Sequence, residues 1–174
     1  MNTHIITQKY ASPCGELILG DYDGRLCMCD WVHSKKHDTN LSRLSRMLNA
    51  DFAEGVTPVI ERAEAQLDEY FAGQRRMFDM PLLFVGTEFQ KKVWETLLTI
   101  PYGHAVSYGE MARLIGMSKA VRAVAAAVGA NALSIIAPCH RIIGRNGSLT
   151  GYAGGLEAKR FLLELEQELS TPIP

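Results

Sequence analysis

Three short, partly β-branched runs open the chain: IITQKY, ELILGDY and RLCMCDWV. SPCG and the turn signal DYDG separate them, so the pattern predicts a strand meander. The spacing then becomes helical. Apolar residues at 41, 44, 47 and 48 predict a helix over Leu41 to Leu48. Thr57-Pro58 pairs an N-cap with proline at the first helical position and opens PVIERAEAQLDEYFAG, which Gly73 ends. A strand-like piece, MPLLFV, follows.

The texture changes at Gly86-Thr87. Thr87 and Gln90 form a capping-box pattern at the head of TEFQKKVWETLLTI, whose Phe89, Val93, Trp94 and Leu97 share one face. Pro101-Tyr102-Gly103 breaks this helix. Ser107 and Glu110 repeat the capping box before MARLIG, and Gly116 stops that helix. Ser118 is the expected cap of KAVRAVAAAVG, which Gly129 ends. Two short helices joined by a tight glycine-containing turn make a helix-turn-helix pattern. A last helix is expected from Leu156 to Leu169, with Ala158, Leu162, Leu165 and Leu169 as its buried stripe and Glu166 on the stripe's edge.

These elements predict two domains. Residues 1–85 form a small α/β domain, and 86–174 a mainly α domain with a winged-helix-like helix-turn-helix. The chain has 174 residues and is 47% hydrophobic, enough for a real core. A net charge of −1 excludes a disordered polyelectrolyte. The longest uncharged run, Ala123 to Cys139, is broken by polar residues and by Pro138, so no membrane span is expected. MNTHIITQKY lacks the basic and apolar segments of a signal peptide. The expected compartment is the cytoplasm or nucleoid, where the four cysteines stay thiols. Nine Lys/Arg against twelve Asp/Glu in residues 1–85 give −3, and nine against seven in 86–174 give +2. That asymmetry keeps nucleic acid open as a partner of the second half.

The sharpest chemical feature is Pro138-Cys139-His140-Arg141. Positive neighbours lower a thiol's pKa, and an imidazole can take its proton; a buried structural cysteine is the competing reading. A direct Cys139–His140 bond needs a bent backbone or a bridging water, because neighbours on a strand face opposite ways. Glu166, on the inner edge of the last helix, is a natural partner for His140 or Arg141. Five glycines among residues 144–155 imply a sharply turning loop near a ligand, with Tyr152 as a wall. The alanines of 119–129 fit either tight helix packing or entry into a narrow groove, with Arg122 as the probe. A zinc site at Cys27, Cys29, His33 and His37 competes with a reading of surface histidines and buried cysteines, and C-x-C is an uncommon structural zinc spacing.

FQKKVWETLLTIPYGHAVSYGEMARLIG, KAVRAVAAAVGAN and APCHRIIGRNGSLTGYAGGLEAKRFLLELE occur in that order. Together they resemble the O6-alkylguanine-DNA alkyltransferases, also called methylated-DNA–protein cysteine methyltransferases. The resemblance is nearly continuous over 86–166; residues 1–85 match only in style.

The resemblance implies an irreversible, single-use transfer of an alkyl group from guanine O6, and from thymine O4, to a cysteine of the protein. It implies base flipping, no cofactor and no metal. It implies Cys139 as acceptor, His140 as the base acting through a water, and Glu166 as the carboxylate holding that histidine. Asn131 braces the turn to an active-site strand, and Tyr108 assists extrusion of the base and donates to the guanine. The DNA-facing set is Arg122, Tyr108, Ala123, Ala126, Gln90 and Arg145, with Arg122 entering the stack. Tyr152, Ala153, Gly154 and Ile142 line the pocket. Ala137 stands where a bulkier aliphatic is usual, and Ala153 where some members have serine. The implied partner is double-stranded DNA carrying O6-alkylguanine, met by a monomer with no extra regulatory domain. A helix-turn-helix regulator and a Cys-His hydrolase are the alternatives; the small side chains of 119–129 offer little for reading bases, and a hydrolase would turn over.

Overall fold

A computed structural model describes residues 3–170, with side chains described through Glu168. The chain divides after Gly86 into two compact units.

In the first unit, β1 (His4–Ser12), β2 (Gly15–Tyr22) and β3 (Arg25–Trp31) form the expected meander. Helix α1 (His37–Leu48) leads into a fourth strand, β4 (Asp51–Glu54). The sheet order is β3-β2-β1-β4, with β4 parallel to β1 and the other pairs antiparallel. Helix α2 (Pro58–Phe71) begins where Thr57 predicts: the Thr57 hydroxyl accepts the Ile60 N–H at 3.3 Å. Its Val59, Ile60, Ala63, Leu67 and Tyr70 are buried, and it packs on β1, β2 and β3.

The MPLLFV segment is not a strand. It makes one parallel bridge, Leu26 to Leu82, held by Leu26 N–H to Pro81 O and Leu83 N–H to Leu26 O. Apolar composition is insufficient where no partner strand continues alongside.

In the second unit, helix α3 (Glu88–Leu97) carries the complete capping box: Gln90 N–H donates to Thr87 Oγ1, and Thr87 N–H donates to Gln90 Oε1. After β5 (Val106–Ser107), helix α4 (Tyr108–Ile115) begins with the second complete capping box. Gly116, at φ 81°, ends α4 in the left-handed region that glycine enters without strain.

Helix α5 (Val121–Gly129) starts two residues later than its sequence suggests. Ala120 is the N-cap and makes no side-chain cap bond, so Ser118 does not cap it. The N–H of Ala120 instead closes a turn onto Met117 O. Helices α3, α4 and α5 pack on one another through Val93, Trp94, Leu97, Met111, Ala112, Ile115, Val124, Ala127 and Val128, all buried. Trp94 is pinned at the centre, its Nε1–H donating to Ala127 O at 2.8 Å.

A two-residue strand, β6 (Ile142–Ile143), pairs in parallel with β5. Helix α6 (Leu156–Ser170) closes the unit. Its buried positions include Ala158, Lys159, Leu162 and Glu166; Leu165 is half-buried, and the side chain of Leu169 lies outside those described.

Candidate active site

Residues 131–139 leave α5 in a non-repeating turn buried throughout. Asn131 braces it from within: Nδ2 donates to Ala137 O and Oδ1 accepts from Leu133 N–H, both at 2.9 Å. The brace spans Ile135, a buried β-branched residue at φ 70°. A bulky side chain in the left-handed region is strained and persists only where its surroundings over-determine it. Beyond Pro138, Cys139–Arg141 is a single 3₁₀ turn. The expected active-site strand is therefore absent at the cysteine and begins only at Ile142. The reason is local: Cys139 N–H bonds Ala137 O and Arg141 N–H bonds Pro138 O, which curls the backbone.

This curl sends His140 and Arg141 together toward α6. His140 Nε2 lies 2.6 Å from Glu166 Oε2. Arg141 meets the same carboxylate through Nε at 2.8 Å and Nη2 at 3.1 Å, and its Nη1 donates to Ile100 O at 2.6 Å. The Gly103 N–H adds a 3.3 Å bond to Glu166 Oε1. The Arg141 guanidinium also sits 5.6 Å from the Tyr102 ring centroid. Glu166 is thus buried outright, not at a rim. Burial alone would raise its pKa, but the bonds and charges of His140 and Arg141 prevail and hold the carboxyl far below the usual carboxylate range. Burial pushes the His140 imidazole down, with Glu166 opposing. A neutral ring facing an ionised carboxylate carries its proton on Nε2. That leaves Nδ1 as the lone-pair nitrogen, buried and without a hydrogen-bond partner.

Cys139 is 6% exposed. No hydrogen bond joins its sulfur to the imidazole. Burial pushes its thiol up; the Asn131 side chain and the Lys159 ammonium act in the opposite direction. This corrects the expectation that His140 and Arg141 would acidify it, since Arg141 is spent on Glu166. The cation that serves the sulfur is Lys159, which sequence reasoning overlooked. Lys159 is fully buried, and its Nζ donates to Thr150 O at 2.9 Å and Gly151 O at 3.5 Å. The helical period held the signal: Lys159 is three residues before Leu162 and seven before Glu166, on the inward face.

The remaining site residues take these places. Arg122, Ala123 and Ala126 are exposed on one side of α5, while Val124, Ala127 and Val128 face the core. Tyr108 opens α4, half-buried. Gln90 is half-exposed, with its amide oxygen engaged in the α3 cap. Arg145 is exposed in a tight turn closed by Gly144 N–H to Ser148 O at 2.7 Å. A Cβ on Gly144 would collide with the Ser148 hydroxyl and crowd its carbonyl, so a larger residue there would force Ser148 to shift. Tyr152, Ala153 and Gly154 are half-buried in the loop before α6, and Ile142 is fully buried in β6.

Among the described residues no cluster of three or more His, Cys, Asp or Glu is arranged to hold a metal ion. Cys27 and Cys29 are buried in β3 and His33 is exposed. His37 Nδ1 is 2.7 Å from Asp30 Oδ2, in a network that continues through Asn40 to Arg43. No helix is long and apolar enough to cross a membrane among the described residues.

Comparison with known proteins bears on this arrangement. Residues 88–168 match the family model described as 6-O-methylguanine DNA methyltransferase, DNA binding domain, and residues 5–84 match the ribonuclease-like domain of the same family. The constitutive methylated-DNA–protein-cysteine methyltransferase of Bacillus subtilis is 44% identical, over 90% of this chain and 92% of its own. The chain belongs to the methylated-DNA–protein-cysteine methyltransferase family. A member from Methanosarcina acetivorans is 45% identical over 90% of this chain and 95% of its own. Among solved structures, Mycobacterium tuberculosis OGT in complex with DNA superposes with a TM-score of 0.80 at 42% identity, covering 95% of this chain and 94% of that one. The archaeal O6-methylguanine-DNA methyltransferase of Pyrococcus kodakaraensis gives 0.72 at 25% identity, covering 93% and 98%. The small sheet domain and the helical domain are therefore the family's fold.

Proposed function

We propose that this chain repairs DNA by moving an alkyl group from O6 of guanine, and from O4 of thymine, onto Cys139, once per molecule and without a cofactor. The observation that carries this reading is the 2.6 Å contact between His140 Nε2 and the buried Glu166 carboxylate. Glu166 accepts the Nε2 proton and leaves Nδ1 as a buried base beside the cysteine turn.

The thiol proton passes through a bridging water to Nδ1. The thiolate attacks the alkyl carbon in line, the S–C bond forms, and the C–O6 bond breaks with its electron pair on the guanine. The Tyr108 hydroxyl donates to that developing charge, and the proton taken from sulfur ends on the restored guanine, which stays in the strand. A thioether offers no hydrolytic exit, hence the single use. The reacting atom is inaccessible in a stacked duplex, so the nucleotide must swing out. The low alanine face of α5 suits the narrow minor groove, Arg122 fills the vacated stack, and Gln90 and Arg145 contact the backbone. Tyr152, Ala153, Gly154 and Ile142 form the pocket wall, so residues 86–174 carry both binding and chemistry and 1–85 the preceding domain. The protein acts as a monomer on double-stranded DNA in the cytoplasm, at the nucleoid.

The test is the intact mass after incubation with a duplex containing O6-methylguanine. One methyl group should appear on Cys139, none on Cys14, and none at all in Cys139→Ser. Sustained turnover in excess substrate overturns the reading and favours a hydrolase.

A further inference from the structure

The turn that carries Cys139 holds a buried hydroxyl that alkyl transfer, as derived above, leaves unused. Ser134 is fully buried, and its Oγ has no hydrogen-bond partner among the described residues. A buried hydroxyl is seldom left so, because taking it from water without a partner costs about 1–3 kcal/mol. The conformation around it is tightly specified. Asn131 pins Leu133 on one side and Ala137 on the other, and Ile135 between them is forced to φ 70°. An unsatisfied hydroxyl at a strained, over-braced position marks a site where stability has been given up for something else.

The sulfur supplies the reason. The Ser134 hydroxyl, with the Asn131 side chain and the Lys159 ammonium, is among the groups that favour ionised Cys139 against its burial. A neutral thiol is a weak acceptor, whereas a thiolate is a strong one for an O–H donor.

We propose that Ser134 Oγ–H is a donor held for the Cys139 thiolate, unbonded while the sulfur is protonated and bonded once it ionises. It thereby sets the fraction of reactive sulfur at neutral pH. After alkyl transfer the neutral thioether loses this bond. The consequence for repair rests on the function proposed above; the hydrogen bond itself does not.

The experiment follows the pH dependence of Cys139 carbamidomethylation by iodoacetamide, read on the Cys139 peptide by mass spectrometry, in wild type, Ser134→Ala and Ser134→Thr. Expected is a midpoint about one unit higher in Ser134→Ala, equivalent to about tenfold less thiolate below it, with Ser134→Thr remaining at the wild-type midpoint. Ser134→Ala should also melt at or above the wild-type temperature, because an unsatisfied buried hydroxyl is removed. An unmoved midpoint overturns the proposal. Equal shifts in both variants do so too, because packing and not the hydroxyl would then be responsible. A Ser134→Ala chain that fails to fold likewise overturns it, by making the hydroxyl structural. Methyl transfer from O6-methylguanine duplex is measured in parallel: its absence in wild type defeats the repair reading alone and leaves the iodoacetamide result to stand or fall by itself.

Discussion

Arg141 and Glu166 are joined at two points, Nε to Oε1 at 2.8 Å and Nη2 to Oε2 at 3.1 Å, in the buried base of the second unit. The same carboxylate holds His140, so one side chain neutralises a buried cation and orients the base. Glu166→Gln removes the charge and leaves Arg141 without its counter-ion. Breaking a buried pair from one side costs about 3–5 kcal/mol. Chemical denaturation should show a loss of about 3 kcal/mol, and the folded fraction should transfer methyl groups at least tenfold more slowly because the imidazole tautomer is no longer set.

The low pKa of Glu166 makes that contribution acid-sensitive. Its folded-state pKa lies below the ordinary value of 4.5. The stabilisation is therefore complete above the unfolded pKa and declines as pH falls toward the folded one. Unfolding free energy should drop steadily from about pH 5 to about pH 3 in wild type, with a shallower slope in Glu166→Gln. Equal slopes would assign the acid sensitivity to other carboxylates.

Asn131→Ala strips both bonds from the turn: Leu133 N–H is left buried without that partner, while Ala137 O keeps the Cys139 N–H. The orphaned donor costs about 1–3 kcal/mol and the lost bond to Ala137 O about 1 kcal/mol more. The expected destabilisation is about 2–4 kcal/mol by thermal or urea unfolding. Ile135 then relaxes out of the left-handed region, and Cys139 reactivity toward small alkylating agents should change with it.

Lys159→Met keeps the length of the side chain and removes its charge. Without the ammonium, burial of Cys139 is less opposed, so the pH profile of alkylation should move upward. The bonds to Thr150 O and Gly151 O also go, so proteolysis within residues 144–155 should quicken. A variant with wild-type reactivity and loop resistance would deny the lysine both tasks.

Arg122→Ala touches an exposed residue, so stability should stay within about 0.5 kcal/mol of wild type. Transfer from duplex O6-methylguanine should slow by tenfold or more, while transfer from the free methylated base changes little. Equal slowing on both substrates would remove Arg122 from the extrusion step.

Local chemistry was legible wherever a short segment decides its own structure. Thr57-Pro58 and the two capping boxes needed only partners three residues away, and each forms as its spacing says. The three-strand meander follows from its turns. Strand β4 escaped because DFAE has little alternation and acquires its order from β1 across the fold. MPLLFV misled in the other direction, being strand-like in composition with only one bridging partner. Around the cysteine, the proximity of Cys139, His140 and Arg141 in sequence suggested shared electrostatics, yet the 3₁₀ turn sends Arg141 to Glu166 and leaves Lys159 to the sulfur. Lys159 was illegible as chemistry because the sulfur and the loop carbonyls it serves lie outside its own helix, and Ser134 because only the folded turn buries its hydroxyl without a hydrogen-bond partner.

Lys159 and Glu166 stand seven residues apart on α6, two turns along one stripe of the cylinder. One opposes the burial of the nucleophile and tethers a neighbouring loop; the other aligns the proton acceptor. Because a single inserted residue rotates everything beyond it by about 100°, both tasks depend on the phase of this one rod. Lengthening α6 by one residue between 159 and 166 should disable the chemistry as thoroughly as removing the sulfur, with every catalytic side chain still in the chain.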